Sequence, residues 1–239
     1  MIRWLQLIFN FILPPRCLIC GKEVADDGRL CAECFSHVSF IIPPYCQKCG
    51  KPFDYSIADH AVLCPDCLSH KFPFRMCRSA VVYDENSKKL ILDFKFFDHL
   101  ENKSLLANWL FLAGKDIFNA DVDLIIPVPL HFSRLLKRKY NQSAVLCDAL
   151  SKLTHIPANY KALRKIRHTL PQVSCNGKQR LKNVRNAFEV VHPEMIKNKR
   201  IVLVDDVFTT GATLKECART LKKSGAKSVD ALTIARVCS

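Results

Sequence analysis

Two adjacent carboxylates, Asp205 and Asp206, stand between a short apolar run and a loop of small hydroxyl residues. The apolar run, residues 201–204, is typical of a strand buried on both faces of a parallel sheet. Carboxylates at the end of such a strand can accept hydrogen bonds from sugar hydroxyls or hold Mg²⁺ through water. We therefore predict a sugar or magnesium site here, with Asp205 and Asp206 as its candidate catalytic residues.

The residues after the carboxylates have the composition of a phosphate site. A helix is expected because the apolar residues between positions 214 and 221 recur at helical spacing. Unpaired backbone N–H groups at the start of a helix attract anions, and threonine hydroxyls donate to phosphate oxygens. A phosphate beside a sugar diol is a ribose phosphate, and the loop lacks the lysine of a nucleoside triphosphate loop. An ordinary strand-to-helix turn is the alternative to the predicted phosphate contacts, which are Val207, Thr209, Thr210, Gly211, Ala212 and Thr213.

Eight of the 13 cysteines fall into four Cys-x-x-Cys pairs in the N-terminal third. Each pair can supply two thiolates to a tetrahedral Zn²⁺ ion, so the eight ligands allow one or two structural zinc sites. The pairs can combine sequentially, interleaved or nested, and their spacing does not decide. A disulfide framework is the alternative, disfavoured because the N-terminus has no signal-peptide cleavage pattern and the other cysteines are scattered singly. The predicted zinc ligands are Cys17, Cys20, Cys31, Cys34, Cys46, Cys49, Cys64 and Cys67.

Two basic segments are candidates for binding a pyrophosphate group or for forming a lid over it. The first follows a strand-like run, residues 123–129, and a basic loop between a strand end and a helix is where an α/β sheet builds its ligand site. The second, residues 161–185, contains eight Lys or Arg and no carboxylate, so it can neutralise a polyanionic leaving group. For each segment the alternative is a solvated basic surface. The candidates are Pro129, His131, Arg134, Arg138, Asn141 and Gln142 for the first segment, and Arg164, Gln172, Arg180 and Asn183 for the second.

The elements that must position these residues indicate an α/β fold. Residues 201–204, the helix from position 214 and a second apolar run at 229–237 form a strand–helix–strand unit, whose crossover onto a parallel sheet is right-handed. Amphipathic stretches predict flanking helices at 88–97, 105–118 and 144–153. We predict three parts, which are an apolar N-terminal helix over residues 1–15, a cysteine-rich zinc-binding domain over 16–78 and the α/β domain over 79–239.

The N-terminal apolar segment and the net charge bear on the choice of partners. Residues 1–13 are apolar but too short to span a bilayer, so we expect this helix to pack within the chain. A peripheral membrane contact is the alternative. Lys and Arg number 36 against 22 Asp and Glu, and the formal net charge of +14 suits polyanions such as single-stranded DNA. The same charge would serve a polyphosphate ligand, so charge does not choose between the two.

Residues 201–213 resemble the phosphoribosyl pyrophosphate (PRPP) motif of the type I phosphoribosyltransferases, in which four apolar residues precede two acidic residues and a Thr/Gly-rich loop. The resemblance implies a twisted, mainly parallel sheet flanked by helices. It also implies that Asp205 and Asp206 hold the ribose hydroxyls, that residues 209–213 cradle the 5′-phosphate, and that Mg²⁺ accompanies PRPP. In such enzymes the acceptor lies under a variable hood, for which the zinc domain or residues 86–100, including Lys95, are candidates.

The order of motifs along the chain resembles the ComF/GntX family of competence-associated proteins. The blocks that carry this resemblance are the cysteine pairs, Pro-Val-Pro-Leu-His at 127–131, Tyr140-Asn141-Gln142, Pro171-Gln172 with Arg180 and Asn183, and the Asp-Asp loop. The resemblance implies a bacterial cytosolic protein of natural transformation with a small N-terminal zinc-binding domain, acting after DNA has entered as a single strand. Its implied partners are single-stranded DNA, a competence helicase and recombination mediators.

Two hypotheses for the function stay open. In the first, the chain is a transferase: Mg·PRPP binds, pyrophosphate leaves C1 of the ribose, and an acceptor nucleophile attacks, while Arg138 and Arg180 offset the charge on pyrophosphate. In the second, the fold binds a phosphoribosyl ligand or single-stranded DNA without turnover, and the zinc domain docks a partner. Retained ligand binding is favoured because a scaffold alone has no need of adjacent buried carboxylates.

Overall fold

A computed structural model describes residues 14–54, 62–96, 102–169 and 182–238. The predictions about the N-terminal apolar segment, Gln172 and Arg180 lie outside the described residues. Within that part of the chain, none of the helices is both long and apolar enough to cross a membrane. The elements follow one another as α1 (Ala32–Ser36), α2 (Pro65–Ser69), β1 (Cys77–Val82), α3 (Glu85–Phe96), α4 (Asn102–Ala113), α5 (Lys115–Phe118), β2 (Leu124–Pro127), α6 (Phe132–Arg138), α7 (Gln142–Thr154), β3 (Leu163–Lys165), β4 (Phe188–Val190), β5 (Arg200–Phe208), α8 (Ala212–Lys223) and β6 (Ser228–Arg236).

Four parallel strands form one sheet in the order β1-β6-β5-β2, and β3 and β4 form a separate antiparallel pair. Strand β5 lies inside the sheet because it is apolar on both sides. Ile201 and Leu203 belong to the core on one face, and Val202 and Val204 belong to the core on the other. None of the four is more than 1% exposed. The prediction of an α/β fold with a mainly parallel sheet flanked by helices is confirmed.

The helix α7, which lies between β2 and β3 in the chain, and the helix α8, which follows β5, pack on opposite faces of the sheet. Leu146 of α7 belongs to the same core cluster as Val204, whereas Leu214 of α8 belongs to the cluster of Leu203. When two neighbouring parallel strands send their next helices to opposite faces, a crevice opens between the carboxyl ends of those strands. The fold therefore predicts a ligand crevice, the β2/β5 crevice, where these two strands end.

Strand β5 continues through residues 205–208, beyond the apolar run that predicts it. Its pairing with β6 extends to Phe208 opposite Arg236, whereas β2 ends at Pro127 opposite Val204. The extension forms because β6 still offers backbone partners after β2 has ended. The two carboxylates therefore lie on a paired strand, and only the phosphate loop, residues 209–213, leaves the sheet.

The cysteine-rich part is joined by backbone hydrogen bonds to the free edge of β1. Phe40 forms an antiparallel bridge with Val81, and the N–H of Cys77 donates to the carbonyl oxygen of Lys48 over 2.8 Å. Gly50, at φ +71°, brings its backbone so close to β1 that an added Cβ would lie 2.7 Å from the carbonyl oxygen of Cys77. These contacts hold the cysteine-rich part against the sheet, and the predicted boundary after residue 78 stays a prediction.

Candidate functional site

The two carboxylates lie between the end of α3 and the start of α7. Asp206 Oδ2 is 2.5 Å from Nζ of Lys95, and Ser143 Oγ donates to Asp205 Oδ1 over 3.2 Å. The backbone N–H of Asp206 also donates to Asp205 Oδ1 over 3.0 Å. The Asp206 side chain is 17% exposed, so its carboxylate is close to the surface of the crevice and accessible to a ligand. Both oxygens of Asp206 already have a partner, because Oδ1 accepts from the N–H of Val207 over 2.7 Å and Oδ2 faces Lys95, so a sugar hydroxyl reaches Oδ2 once Lys95 has moved away.

The environment separates the pKa values of the two carboxyls. Burial, and then the negative charge of Asp206, raise the pKa of Asp205 to about 7. Burial would also raise the pKa of Asp206, but the ammonium of Lys95 outweighs it and lowers that pKa. At neutral pH Asp206 is therefore ionised, while Asp205 changes its charge within the physiological range.

The phosphate loop requires a glycine at its third position. Gly211 has φ +68°, and a Cβ added there would lie 2.5 Å from Cζ of Phe208. Gly211 is also the N-cap residue of α8, so the positive end of the helix dipole lies at the loop. Among the described residues, no group lies within hydrogen-bond distance of the buried Oγ1 of Thr210. A buried hydroxyl of this kind is suited to an oxygen of a bound phosphate.

Two half-buried cations, Arg134 of α6 and Lys165 of β3, converge on Thr169. Arg134 Nη2 donates to the Thr169 carbonyl oxygen over 2.7 Å, and Lys165 Nζ donates to Thr169 Oγ1 over 2.8 Å. Burial, and then the charge of Arg134, lower the pKa of Lys165 to about 8, while the carboxylate of Asp205 opposes that shift. No carboxylate in the described ranges lies within ion-pair distance of either cation. Two desolvated cations held together in this way can be neutralised by a bound anion.

The Tyr140-Asn141-Gln142 motif holds backbone rather than facing open space. Asn141 caps α7, because its Oδ1 accepts from the N–H of Ser143 over 3.1 Å, and its Nδ2 donates to the Val128 carbonyl oxygen over 3.1 Å. Gln142 Nε2 donates to the Lys95 carbonyl oxygen over 2.8 Å. Tyr140 OH donates to the Phe94 carbonyl oxygen, also over 2.8 Å. The motif thereby fixes the last turn of α3, which carries Lys95 to Asp206.

The other predicted lid residues are spread over the same end of the domain. His131 caps α6, because its Nδ1 accepts from the N–H of Ser133, and Arg164 of β3 pairs with Glu189 of β4. Arg138 Nη1 donates to Gln142 Oε1 over 3.4 Å. The carbonyl oxygen of Asn183 accepts a hydrogen bond from Arg167. Pro129 lies in the loop after β2. Ligand contacts by any of these residues stay predictions.

Three residues near Asp205 and Asp206, which are Lys95, Ser143 and Lys165, belong to no sequence motif that marks them as site residues. Ser143 and Lys165 are not among the candidates from sequence, and Lys95 is a candidate only for an acceptor contact. The one available signal for Lys95 is its position as a lone cation among phenylalanines in an amphipathic stretch. Nothing in the sequence around Lys165 distinguishes it from the neighbouring basic residues.

The eight predicted zinc ligands form two separate clusters. Each combines two consecutive Cys-x-x-Cys pairs, and its four Sγ atoms lie within 4.8 Å of one another. The sulfurs of Cys20 and Cys31 are 3.7 Å apart, and those of Cys49 and Cys64 are 3.6 Å apart. Zinc–sulfur bonds of about 2.3 Å in a tetrahedron place the sulfurs about 3.8 Å apart, so the donor sets fit structural zinc. Site 1 comprises Cys17, Cys20, Cys31 and Cys34, and site 2 comprises Cys46, Cys49, Cys64 and Cys67.

The two clusters differ in burial. In site 1, Cys20 is exposed, whereas Cys46, Cys49 and Cys64 of site 2 are at most 1% exposed. A hydrogen bond from Cys49, followed by backbone N–H donors, lowers the pKa of Cys46 to about 4 despite burial. Site 2 is thus the buried site, and its geometry favours the thiolate form of Cys46, the form that binds metal.

Comparison with known proteins gives relatives that match both parts of the chain. The double zinc ribbon domain model matches residues 8–68, and the phosphoribosyl transferase domain model matches residues 167–238. Competence protein F of Haemophilus influenzae is 33% identical over 95% of this chain and 98% of its own length. DNA utilization protein YhgH of Escherichia coli K12 is 30% identical over 92% of this chain and 89% of its own. Among solved structures, glutamine PRPP amidotransferase of Bacillus subtilis aligns with 59% of this chain and 30% of its own, at 20% identity and a TM-score of 0.38.

Proposed function

Because the chain belongs to the family of competence protein F, we propose that its β2/β5 crevice binds Mg·PRPP in a cytoplasmic protein of bacterial DNA uptake. One observation carries this proposal. The acid pair lies near the carboxyl end of a parallel strand, beside a glycine-capped helix start where the Thr210 hydroxyl is buried without a partner among the described residues. A diol next to a phosphate, as in a 5-phosphoribosyl group, matches that combination of acceptors and donors.

In this proposal the acid pair and the phosphate loop divide the ligand between them. The 5′-phosphate takes the N–H groups of residues 209–213 and the Thr210 hydroxyl, and the ribose hydroxyls donate to Asp205 and Asp206. Lys95 then has to leave Asp206, because its ammonium is 2.5 Å from the oxygen that a ribose hydroxyl would use. When bound, Mg²⁺ neutralises charge on the pyrophosphate group, and carboxylates of this kind suit its water shell.

Arg134 and Lys165 are the residues we assign to the pyrophosphate end of the ligand. Both are desolvated, and the negative charge of Asp205 opposes the lowering of the Lys165 pKa. A bound pyrophosphate would supply the negative charge that these two cations lack. Arg138 and Arg180 are proposed to act with them.

We further propose that the site transfers the phosphoribosyl group to an acceptor nucleophile. The bond from C1 of the ribose to the pyrophosphate oxygen breaks, and pyrophosphate leaves with the electron pair. The nucleophile's lone pair forms the new bond to C1, and its proton passes to solvent. The carboxylate of Asp206, released from Lys95, stabilises the positive charge that develops on the ribose.

The second candidate function is binding without turnover, in which the fold grips single-stranded DNA or a partner protein of the DNA-uptake machinery, such as a helicase or a recombination mediator. The observation that favours it is the formal net charge of +14. A relative with the name DNA utilization protein agrees with this candidate.

Titration calorimetry with zinc-replete protein separates the two candidates. We expect Mg·PRPP to bind at one ligand per chain, and ribose 5-phosphate and inorganic pyrophosphate each to bind more weakly, since each occupies only part of the site. Mg·ATP is the matched control, because it offers a similar charge without a free 5-phosphoribosyl group. Equal affinity for Mg·ATP and Mg·PRPP, or no heat with either, would favour the DNA- or protein-binding candidate.

The affinity for Mg·PRPP should depend on pH at both ends of the neutral range. Binding favours ionised Asp205, whose pKa is about 7 in the free protein, so affinity should fall as pH drops through that value. Binding also favours charged Lys165, whose pKa is about 8, so affinity should fall again as pH rises through that value. Each limb should reach a slope of up to about tenfold per pH unit.

Lys165→Arg is the control for this pH profile, because arginine stays charged at alkaline pH. The variant should keep the acidic limb and lose the alkaline limb in calorimetric titrations between pH 6 and pH 9. A wild-type affinity that stays flat between pH 7 and pH 9 would contradict the assignment of Lys165 to the pyrophosphate end.

A further inference from the structure

Arg236, the last residue of β6, is a buried cation beside zinc site 2. Its side chain is 6% exposed, and its Nη1 donates to the Cys49 carbonyl oxygen over 2.7 Å. Its Nη2 lies 3.5 Å from Cys49 Sγ. None of the carboxylates in the described part of the chain lies within ion-pair distance of this guanidinium. A buried charge needs a counter-charge, and four thiolates around Zn²⁺ carry a net charge of two minus.

The same guanidinium also contacts the end of β5. The Cζ atom of Arg236 lies 4.4 Å from the ring centroid of Phe208, which is 3% exposed. The Phe208 ring in turn lies against Gly211, where it leaves no room for a Cβ. A continuous series of contacts therefore runs from Cys49 of zinc site 2, through Arg236 and Phe208, to the glycine of the phosphate loop.

We propose that Arg236 is a positioning residue that makes the shape of the phosphate loop depend on the filling of zinc site 2. With the four thiolates bound to metal, Arg236 is fixed over Phe208, and the ring supports the loop at Gly211. Without that counter-charge, the guanidinium has no reason to stay buried, and the ring and the loop lose their support. The coupling itself does not need a ligand. Only its expected effect on ligand affinity, which is weaker binding of PRPP, rests on the proposed function.

Zinc site 2 has a second buried arginine that provides a matched control. Arg78 of β1 is 2% exposed, and its Nη1 donates to the Gln47 carbonyl oxygen between the first two ligands of site 2 over 3.0 Å. It pairs with Asp116 and lies over Tyr45, and neither of these belongs to the phosphate loop. Arg78 thus supports the same cysteine pair without the contact to Phe208.

The test compares hydrogen exchange at the backbone amides of residues 209–213 in Arg236→Met, Arg78→Met and Cys46→Ser, the last of which empties zinc site 2, with zinc content measured in all three. We expect at least about tenfold faster exchange in Arg236→Met and in Cys46→Ser, and less than about twofold change in Arg78→Met, with two zinc ions retained in both arginine variants. Phe208→Leu, which removes the ring and keeps the buried charge pair, should speed exchange in the same amides. This second variant keeps the test valid if Arg236→Met does not fold.

Unchanged exchange in both Arg236→Met and Phe208→Leu would overturn the inference, and so would equal acceleration in Arg78→Met. The exchange measurement needs no ligand, so it is independent of the proposed function. If the wild type binds no Mg·PRPP, the proposed function fails while the coupling of zinc site 2 to the loop can still stand. If the wild type binds Mg·PRPP, Arg236→Met should bind it at least about tenfold more weakly and Arg78→Met as the wild type does.

Discussion

Changing both Asp205 and Asp206 to asparagine should weaken Mg·PRPP binding by at least about 100-fold, because a hydrogen bond to a charged group contributes about 1.5–3 kcal/mol. Asparagine has the same shape but carries no charge, so it neither accepts as strongly from ribose hydroxyls nor attracts the metal. The fold should survive, because Lys95 is 21% exposed and reaches solvent once its partner is neutral. Calorimetric titration of the double variant measures the loss, and metal analysis should still give two zinc ions per chain.

The control for this double variant is Asp148→Asn on α7. Asp148 Oδ2 pairs with Lys152 at the surface, where it is 47% exposed. Removing this carboxylate should leave the affinity for Mg·PRPP within about twofold, because exposed ion pairs contribute little. Equal affinity of the Asp205/Asp206 double variant and the wild type would exclude the acid pair as the ribose site.

Loss of zinc site 2 should destabilise the protein far more than loss of zinc site 1. Cys46→Ser removes a ligand that is fully buried and leaves Arg236 without its counter-charge, a loss of about 3–5 kcal/mol. For a chain of this length that free energy lowers the midpoint of thermal unfolding by about 6–20 °C. Cys17→Ser also removes a ligand, but its site includes an exposed cysteine and no buried arginine among the described residues.

The two cysteine variants are therefore controls for each other. Each should contain one zinc ion fewer per chain than the wild type, which metal analysis of the purified protein measures. Differential scanning calorimetry should then give the larger fall in the unfolding midpoint for Cys46→Ser. An equal fall in both variants would mean that the contacts of site 2 with the sheet add nothing to its stability, and full zinc content in Cys17→Ser would exclude Cys17 as a ligand.

The sequence predicts those parts of the site whose residues lie close together along the chain. A buried strand, a carboxylate pair and a helix start follow one another along residues 201–214, so spacing alone places them. The cysteine pairs are predictable for the same reason, because one Cys-x-x-Cys turn supplies two ligands. Strand β5 nonetheless extends to Phe208, because β6 supplies backbone hydrogen-bond partners beyond the apolar run. The hydrophobicity pattern of residues 201–204 does not predict this extension.

The contacts that the sequence does not predict are between residues far apart in the chain. Lys95 reaches Asp206 only because Tyr140 and Gln142 hold the last turn of α3 by its backbone carbonyls. Such bonds leave no pattern in hydropathy or charge. The same holds for Arg236, which the sequence presents as a terminal basic residue and the fold buries against Cys49. Asn141 and Gln142, whose ligand contacts stay predictions, also hold the elements that carry the site.

A crystal structure of the zinc-replete protein grown with Mg·PRPP tests the central claim most directly, since it shows where each part of the ligand lies. We expect the 5′-phosphate in the loop of residues 209–213 with the Thr210 hydroxyl donating to it, and the ribose hydroxyls on Asp205 and Asp206. Lys95 should have left Asp206, and the pyrophosphate should lie beside Arg134 and Lys165. PRPP bound elsewhere on the protein, or a crevice in which Lys95 still pairs with Asp206 at saturating ligand, would contradict the account.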